Sequence, residues 1–241
     1  MTIKNSYIQK SFEFDKELLK IPLHECGEKM VNFVLLSQKE KLKVVFGDET
    51  NPFFYLRNSV ANALLVAIVN LNKEGFIVKI ESMYRSMAQQ KEKFTKRVQT
   101  VKTQYPDKSI PEIKKIANIY TAGIPILAAH TAGAAVDVVL MNEDQKIINM
   151  GSNYPQGVSE SYTEYPHLTE KVKSLRKTLC NAMANEGLVN YPFEWWHFSM
   201  GDVCAAYLKG QKIAIYGPLE FNIKTGKTEY LVTDKCYEFF D

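Results

Sequence analysis

The chain has 241 residues, 46% hydrophobic, 12% aromatic and 24% charged, which are the proportions of a soluble globular protein able to bury a core without disulfides or a structural metal. A balance of 30 basic against 27 acidic residues leaves a formal charge of +3, and no basic run is interleaved with aromatics, which argues against a nucleic-acid partner. No apolar run approaches the roughly 20 residues of a membrane span, which argues against a membrane partner. Cys26, Cys180, Cys204 and Cys236 lie far apart with no C-x-x-C, so free or buried thiols in a reducing compartment are expected. The first twenty residues show no apolar stretch followed by a small-residue cleavage site, and a cytoplasmic location is expected.

Taken in chain order, residues 1–20 read as a charged N-terminal arm. Met30 to Leu36 is apolar and β-branched, as in a strand. Val60 to Leu71 reads as a largely buried helix, closed by Asn72-Lys73-Glu74-Gly75. Phe76 to Ile80 is a strand that delivers Tyr84 and Arg85 beyond its C-terminal end. Ser86 with Gln89, and Ser109 with Glu112, have capping-box spacing and open helices to about Thr103 and Tyr120. Ala134 to Met141 is a strand with an embedded acid, Asp137. Thr169 to Glu186 is a helix stopped by Gly187, and Glu194 to Met200 a last strand rich in aromatics. Helices and strands mix without regular βαβ alternation, which predicts an α+β single domain with a central antiparallel sheet flanked by helices. Residues 208–241 read as a C-terminal extension.

Two of the four histidines occupy unusual settings. His130 opens His130-Thr131-Ala132-Gly133-Ala134-Ala135-Val136-Asp137, and His197 closes Glu194-Trp195-Trp196-His197. A carboxylate among Ala, Val and Leu is costly to desolvate unless it is paired or binds a cation. Gly133 and Ala135 lack bulk, so a loop-to-strand turn can bring His130 and Asp137 together. Two histidines and one carboxylate are a known catalytic zinc set that leaves a position open. Glu194 and His197, three apart on a strand, would nominally face opposite sides, so a bulge or the strand end has to redirect one. With both in one cleft, Glu194 can act as general base and acid. Arg85, at a strand-to-helix junction, suits an oxyanion or a substrate carboxylate. Each residue also has a bland reading: a satisfied core histidine, interface packing of Glu-Trp-Trp-His, or an ion pair at Arg85. His24 and His167 have no carboxylate at a useful spacing and read as structural or surface residues.

The same residues resemble the zinc D-Ala-D-Ala metallopeptidases, the VanX-type dipeptidases and VanY-type carboxypeptidases. The pattern S-x-H-x-x-G-x-A-x-D runs here from Ala128 to Asp137, E-x-W-H is Glu194 to His197, and Y-R is Tyr84-Arg85, followed by a polar helix with Gln89 or Gln90. Ile21-Pro22-Leu23-His24-Glu25-Cys26-Gly27-Glu28 and Met150-Gly151-Ser152 are similar to segments of the VanX-type branch. The resemblance implies a D,D-peptidase/hedgehog-like fold and one Zn2+ per chain on His130, Asp137 and His197. It also implies Glu194 as base and acid, Arg85 as stabiliser of the tetrahedral intermediate, and a small peptide, D-alanyl-D-alanine, as substrate. Two departures qualify that. Ala128 replaces the family serine, and Pro155 follows Tyr154 where VanX-type enzymes carry an aspartate for the dipeptide's free amine. Glu160 and Glu164 are the nearby carboxylates able to replace it. Without such a replacement, a D,D- or L,D-carboxypeptidase or endopeptidase on peptidoglycan stems is the alternative, and a catalytically silent zinc-fold binding protein is a further one.

Overall fold

A computed structural model describes residues 3–47 and 53–240, with side chains from residue 9 onward. The elements run α1 (Ile3–Leu18), β1 (Met30–Asn32), α2 (Phe33–Lys39), β2 (Val44–Phe46), β3 (Tyr55–Arg57), α3 (Asn58–Lys73), β4 (Ile77–Ser82), α4 (Met87–Gln104) and α5 (Ile110–Asn118). They continue with β5 (Ala135–Met141), α6 (Glu170–Asn185), β6 (Val189–Asn190), β7 (His197–Ser199), α7 (Val203–Leu208), β8 (Leu219–Phe221) and β9 (Thr228–Tyr230). The class is α+β, as the order of elements predicts. Two compact units divide the chain: one comprises Met1–Gly27, Arg85–Ala132 and Gly201–Asp241, the other Glu28–Tyr84 and Gly133–Met200. No helix among the described residues is long and apolar enough to cross a membrane.

The unit containing Glu28–Tyr84 and Gly133–Met200 is built on a five-stranded sheet in the order β2-β4-β5-β7-β6. Three of its pairings are antiparallel, as expected, but β2 lies parallel to β4, so the sheet is mixed. Parallel neighbours need a crossover, and the long segment carrying β3 and α3 supplies it. In α3 the buried residues Val60, Ala61, Leu64, Ala67, Ile68 and Leu71 recur at helical spacing on one face, and the helix packs on β4 and α6. All seven residues of β5 are buried, the signature of a central strand covered on both faces. The strand expected over Met30–Leu36 stops after Asn32. The Asn32 side chain accepts the Leu35 N–H at 3.1 Å and caps α2, so the following Phe-Val-Leu-Leu run coils instead.

In the other unit, α4 and α5 pack around Phe94, Val101, Ile113 and Ala117. Both begin as the capping boxes predict: Ser86 exchanges bonds with Gln89, and Glu112 accepts from the Ser109 N–H and hydroxyl. The C-terminal segment closes this core, with the Phe239 ring stacked on Phe94 at 5.8 Å and the Phe240 N–H bound to the Gly123 carbonyl. A Cβ on Gly123 would stand 2.3 Å from the Phe94 ring, which explains the glycine. The residues read as an N-terminal arm form α1. It packs on α7, with Phe14 edge-on to Tyr207 at 5.4 Å.

The α1 helix is tied to the end of α5 by Asn118, whose Nδ2 donates to Asp15 at 2.8 Å while its Oδ1 accepts the Gly123 N–H. Burial outweighs that hydrogen bond and lifts the Asp15 carboxyl to about 7. The folded state therefore holds a proton that the unfolded chain releases near pH 4. The resulting stabilisation is fully present below that pH and is lost as pH rises through 7, a linkage of up to about 4 kcal/mol. Asp15→Asn should abolish this slope. In thermal melts from pH 5 to 8 the wild-type Tm should fall by several degrees more than the variant's, and parallel curves would exclude the linkage.

Candidate metal and active site

Register explains the first half of the site. Asp137 on β5 lies directly opposite His197 on β7, so the two side chains project on one face of the sheet. The His197 Nδ1 atom stands 2.9 Å from Asp137 Oδ1, and the Tyr154 hydroxyl donates to Asp137 Oδ2 at 3.3 Å. Asp137 is only 3% exposed. Glu194 does not lie on the strand expected over Glu194–Met200, because β7 begins at His197. Residues 194–197 form a turn in which the His197 N–H donates to the Glu194 carbonyl at 3.1 Å. A turn places positions three apart on the same side, and Glu194 Oε2 stands 4.0 Å from His197 Nδ1. Asn190 Nδ2 holds that turn by donating to the carbonyls of both Glu194 and His197 at 3.0 Å. Trp195 and Trp196 are each 2% exposed beneath it.

His130 and Arg85 lie in the unit that contains α4 and α5. His130 sits in a buried helical turn, residues 129–132, closed by the Thr131 hydroxyl on the Ala128 carbonyl at 2.8 Å. Arg85 precedes the α4 cap. Its N–H donates to the His130 carbonyl at 3.1 Å and its Nη1 to Gln90 Oε1 at 3.3 Å. Gln90 is buried and anchored through Nε2 to the Ala122 carbonyl at 2.8 Å. The chain passes from His130 into β5 through Gly133, whose φ of +62° is readily adopted only without a Cβ. His130, Asp137 and His197 are the candidate ligands, the last two paired within one unit at 2.9 Å. Two imidazoles and a buried carboxylate are donors suited to zinc, and they leave coordination positions open for chemistry. His24 and His167 are exposed and stand outside this group.

The segment from Met150 to Tyr165 borders Asp137 through Tyr154. It is fixed by Arg176 of α6, which is 2% exposed and donates to the carbonyls of Met150, Glu160, Tyr162 and Thr163. Burial draws the Arg176 guanidinium down to about 10, still protonated at neutral pH. Ser152 of the same segment accepts from Trp195 Nε1 at 3.0 Å. Pro155 follows Tyr154 directly. Of the candidate replacement carboxylates, Glu160 accepts the Ser159 hydroxyl at 3.0 Å, and Glu164 is exposed. Sequence reading missed the Tyr154 hydroxyl, Asn190 and Arg176 as supports of the site. A basic residue on a polar helix carries no local sign that it will be buried.

The peptidase M15 profile, described as D-Ala-D-Ala dipeptidase, matches residues 45–213. A D-alanyl-D-alanine dipeptidase of Synechocystis is 32% identical over 108 residues, 38% of this chain and 44% of that protein. One from Escherichia coli is 27% identical over 81 residues, 34% of this chain and 42% of that protein. Each match thus spans less than half the relative's length. The solved LdcB LD-carboxypeptidase is similar at TM-score 0.48 and 18% identity, over 79% of this chain and 81% of that one. Since the profile covers more than half of the sequence, the chain belongs to the peptidase M15, D-Ala-D-Ala dipeptidase family.

Proposed function

We propose that this protein is a zinc-dependent peptidase that hydrolyses D-alanyl-D-alanine. The observation that carries the reading is the Asp137–His197 pair at 2.9 Å with the Glu194 carboxylate 4.0 Å from His197, His130 being the candidate third donor. The donor set fits a zinc ion: two imidazoles and a carboxylate whose burial calls for a cation. Bound there, the ion supplies Lewis acidity, which makes water a competent nucleophile at neutral pH. Glu194 takes the proton from the attacking water and returns it to the departing amine. Arg85, held by Gln90, meets the negative charge that develops on the scissile carbonyl oxygen. Trp195 and Trp196 keep water from the far side of the turn, which strengthens these electrostatic contacts.

A second reading, a D,D- or L,D-carboxypeptidase or endopeptidase on peptidoglycan stem peptides, is favoured by Pro155. No carboxylate directly follows Tyr154 to hold a free amine, so a substrate extended at its N-terminus loses nothing there. D-Ala-D-Ala and a stem pentapeptide assayed side by side for D-alanine release discriminate the two. A higher kcat/KM on the dipeptide supports the first reading, and the reverse supports the second.

Glu194→Ala should lower kcat by roughly 10²–10⁴-fold while zinc content stays at the wild-type level. Retained turnover would remove Glu194 from the mechanism. Arg85→Ala should lower kcat by about 10²-fold or more with zinc still bound, and unchanged kinetics would refute its role. Dialysis against a chelator should abolish hydrolysis and added zinc restore it; full activity in the metal-free protein would defeat the metallopeptidase reading.

A further inference from the structure

We propose that Tyr154 is a positioning residue for the metal-binding carboxylate: its hydroxyl holds Asp137 Oδ2 so that Oδ1 is presented to the donor cluster. The proposal rests on the reading of His130, Asp137 and His197 as metal ligands. Its geometry lies within one unit of the chain. The two oxygens of Asp137 are divided, Oδ1 at 2.9 Å from His197 Nδ1 and Oδ2 at 3.3 Å from the Tyr154 hydroxyl. A carboxylate held only through its own χ angles samples both oxygens, because its terminal torsion is broad and nearly two-fold. A donor fixed on one oxygen breaks that symmetry and selects which lone pairs face the ion.

Tyr154 can do this only if its own place is fixed, and three features fix it. The ring stands edge-on to buried Trp196 at 5.6 Å, which sets its plane. Arg176 grips the segment on either side of Tyr154, at Met150 and again at Glu160, Tyr162 and Thr163, so all five guanidinium N–H groups act on one stretch of backbone. Ser152, two residues before Tyr154, is bound to the Trp195 indole. The Trp195 N–H in turn donates to the Ser161 carbonyl at 2.9 Å, closing the segment onto the Glu194–His197 turn. Arg176 is thus the more distant support, acting on Asp137 through the Met150–Thr163 segment and Tyr154.

Zinc affinity of the full chain, measured by competition with a chelator of known strength, tests the proposal without recourse to activity. Tyr154→Phe deletes one oxygen and keeps the ring on Trp196, so the metal-free variant should stay folded, melting only several degrees below the wild type. Its zinc dissociation constant should rise at least tenfold, the usual consequence of removing a partner from a ligating group. Val158→Ala, an exposed position on the same segment, should leave zinc affinity unchanged. Equal affinity of Tyr154→Phe and wild type would overturn the role of the hydroxyl while leaving the metal centre intact. An equal loss in Val158→Ala would reduce the effect to general loosening of the segment and also overturn it. A wild-type chain that binds no zinc would overturn the metal centre itself and this proposal with it.

Discussion

Asp137 sits in the middle of a strand whose seven residues are all buried, between two antiparallel neighbours. Taking an ionised carboxylate from water into such surroundings costs several kcal/mol even after local relaxation, whereas each hydrogen bond to it returns about 1.5–3 kcal/mol. His197 and the Tyr154 hydroxyl offset part of that cost. What the position of Asp137 supplies is a buried carboxylate on the sheet face that also carries His197. Register does the rest: the pairing that holds the sheet together sets Asp137 opposite His197.

The spacing of Glu194 and His197 shows how a local pattern is resolved by its surroundings. On an extended strand with a period of two, residues three apart point to opposite faces. The chain avoids this by delaying the strand until His197 and spending Glu194 to Trp196 on a turn. Two buried indoles within that turn fix it from below and Asn190 ties its two ends together. Sequence indicated that something had to redirect one of the two side chains. It could not say that a turn would do so, because the Asn190 contacts reach across from a different strand.

The parts of the fold that could be read from sequence are those governed by near neighbours. The capping serines before α4 and α5 and the apolar face of α3 act within a few residues, and all appear in the structure. What escaped depends on distant partners. The parallel placement of β2 beside β4 is fixed by the α3 crossover, and the folding of residues 3–18 into α1 by contact with α7 and Asn118. In Met30–Leu36, β-branched and apolar residues suited both strand and helix, and one asparagine cap decided between them.

Arg176 carries this dependence on distant contacts furthest. A buried guanidinium is tolerable when its donors are all used, and here backbone carbonyls take them. Burial lowers its pKa only to about 10, so the cation survives at neutral pH and the grip does not depend on titration in the physiological range. Because the grip falls on backbone, side chains between the anchored carbonyls are free to differ without loosening it, and Pro155 occupies such a position. The same segment presents Tyr154 to Asp137. The stretch that carries Tyr154 is thereby supported by contacts that side-chain substitution within it leaves in place.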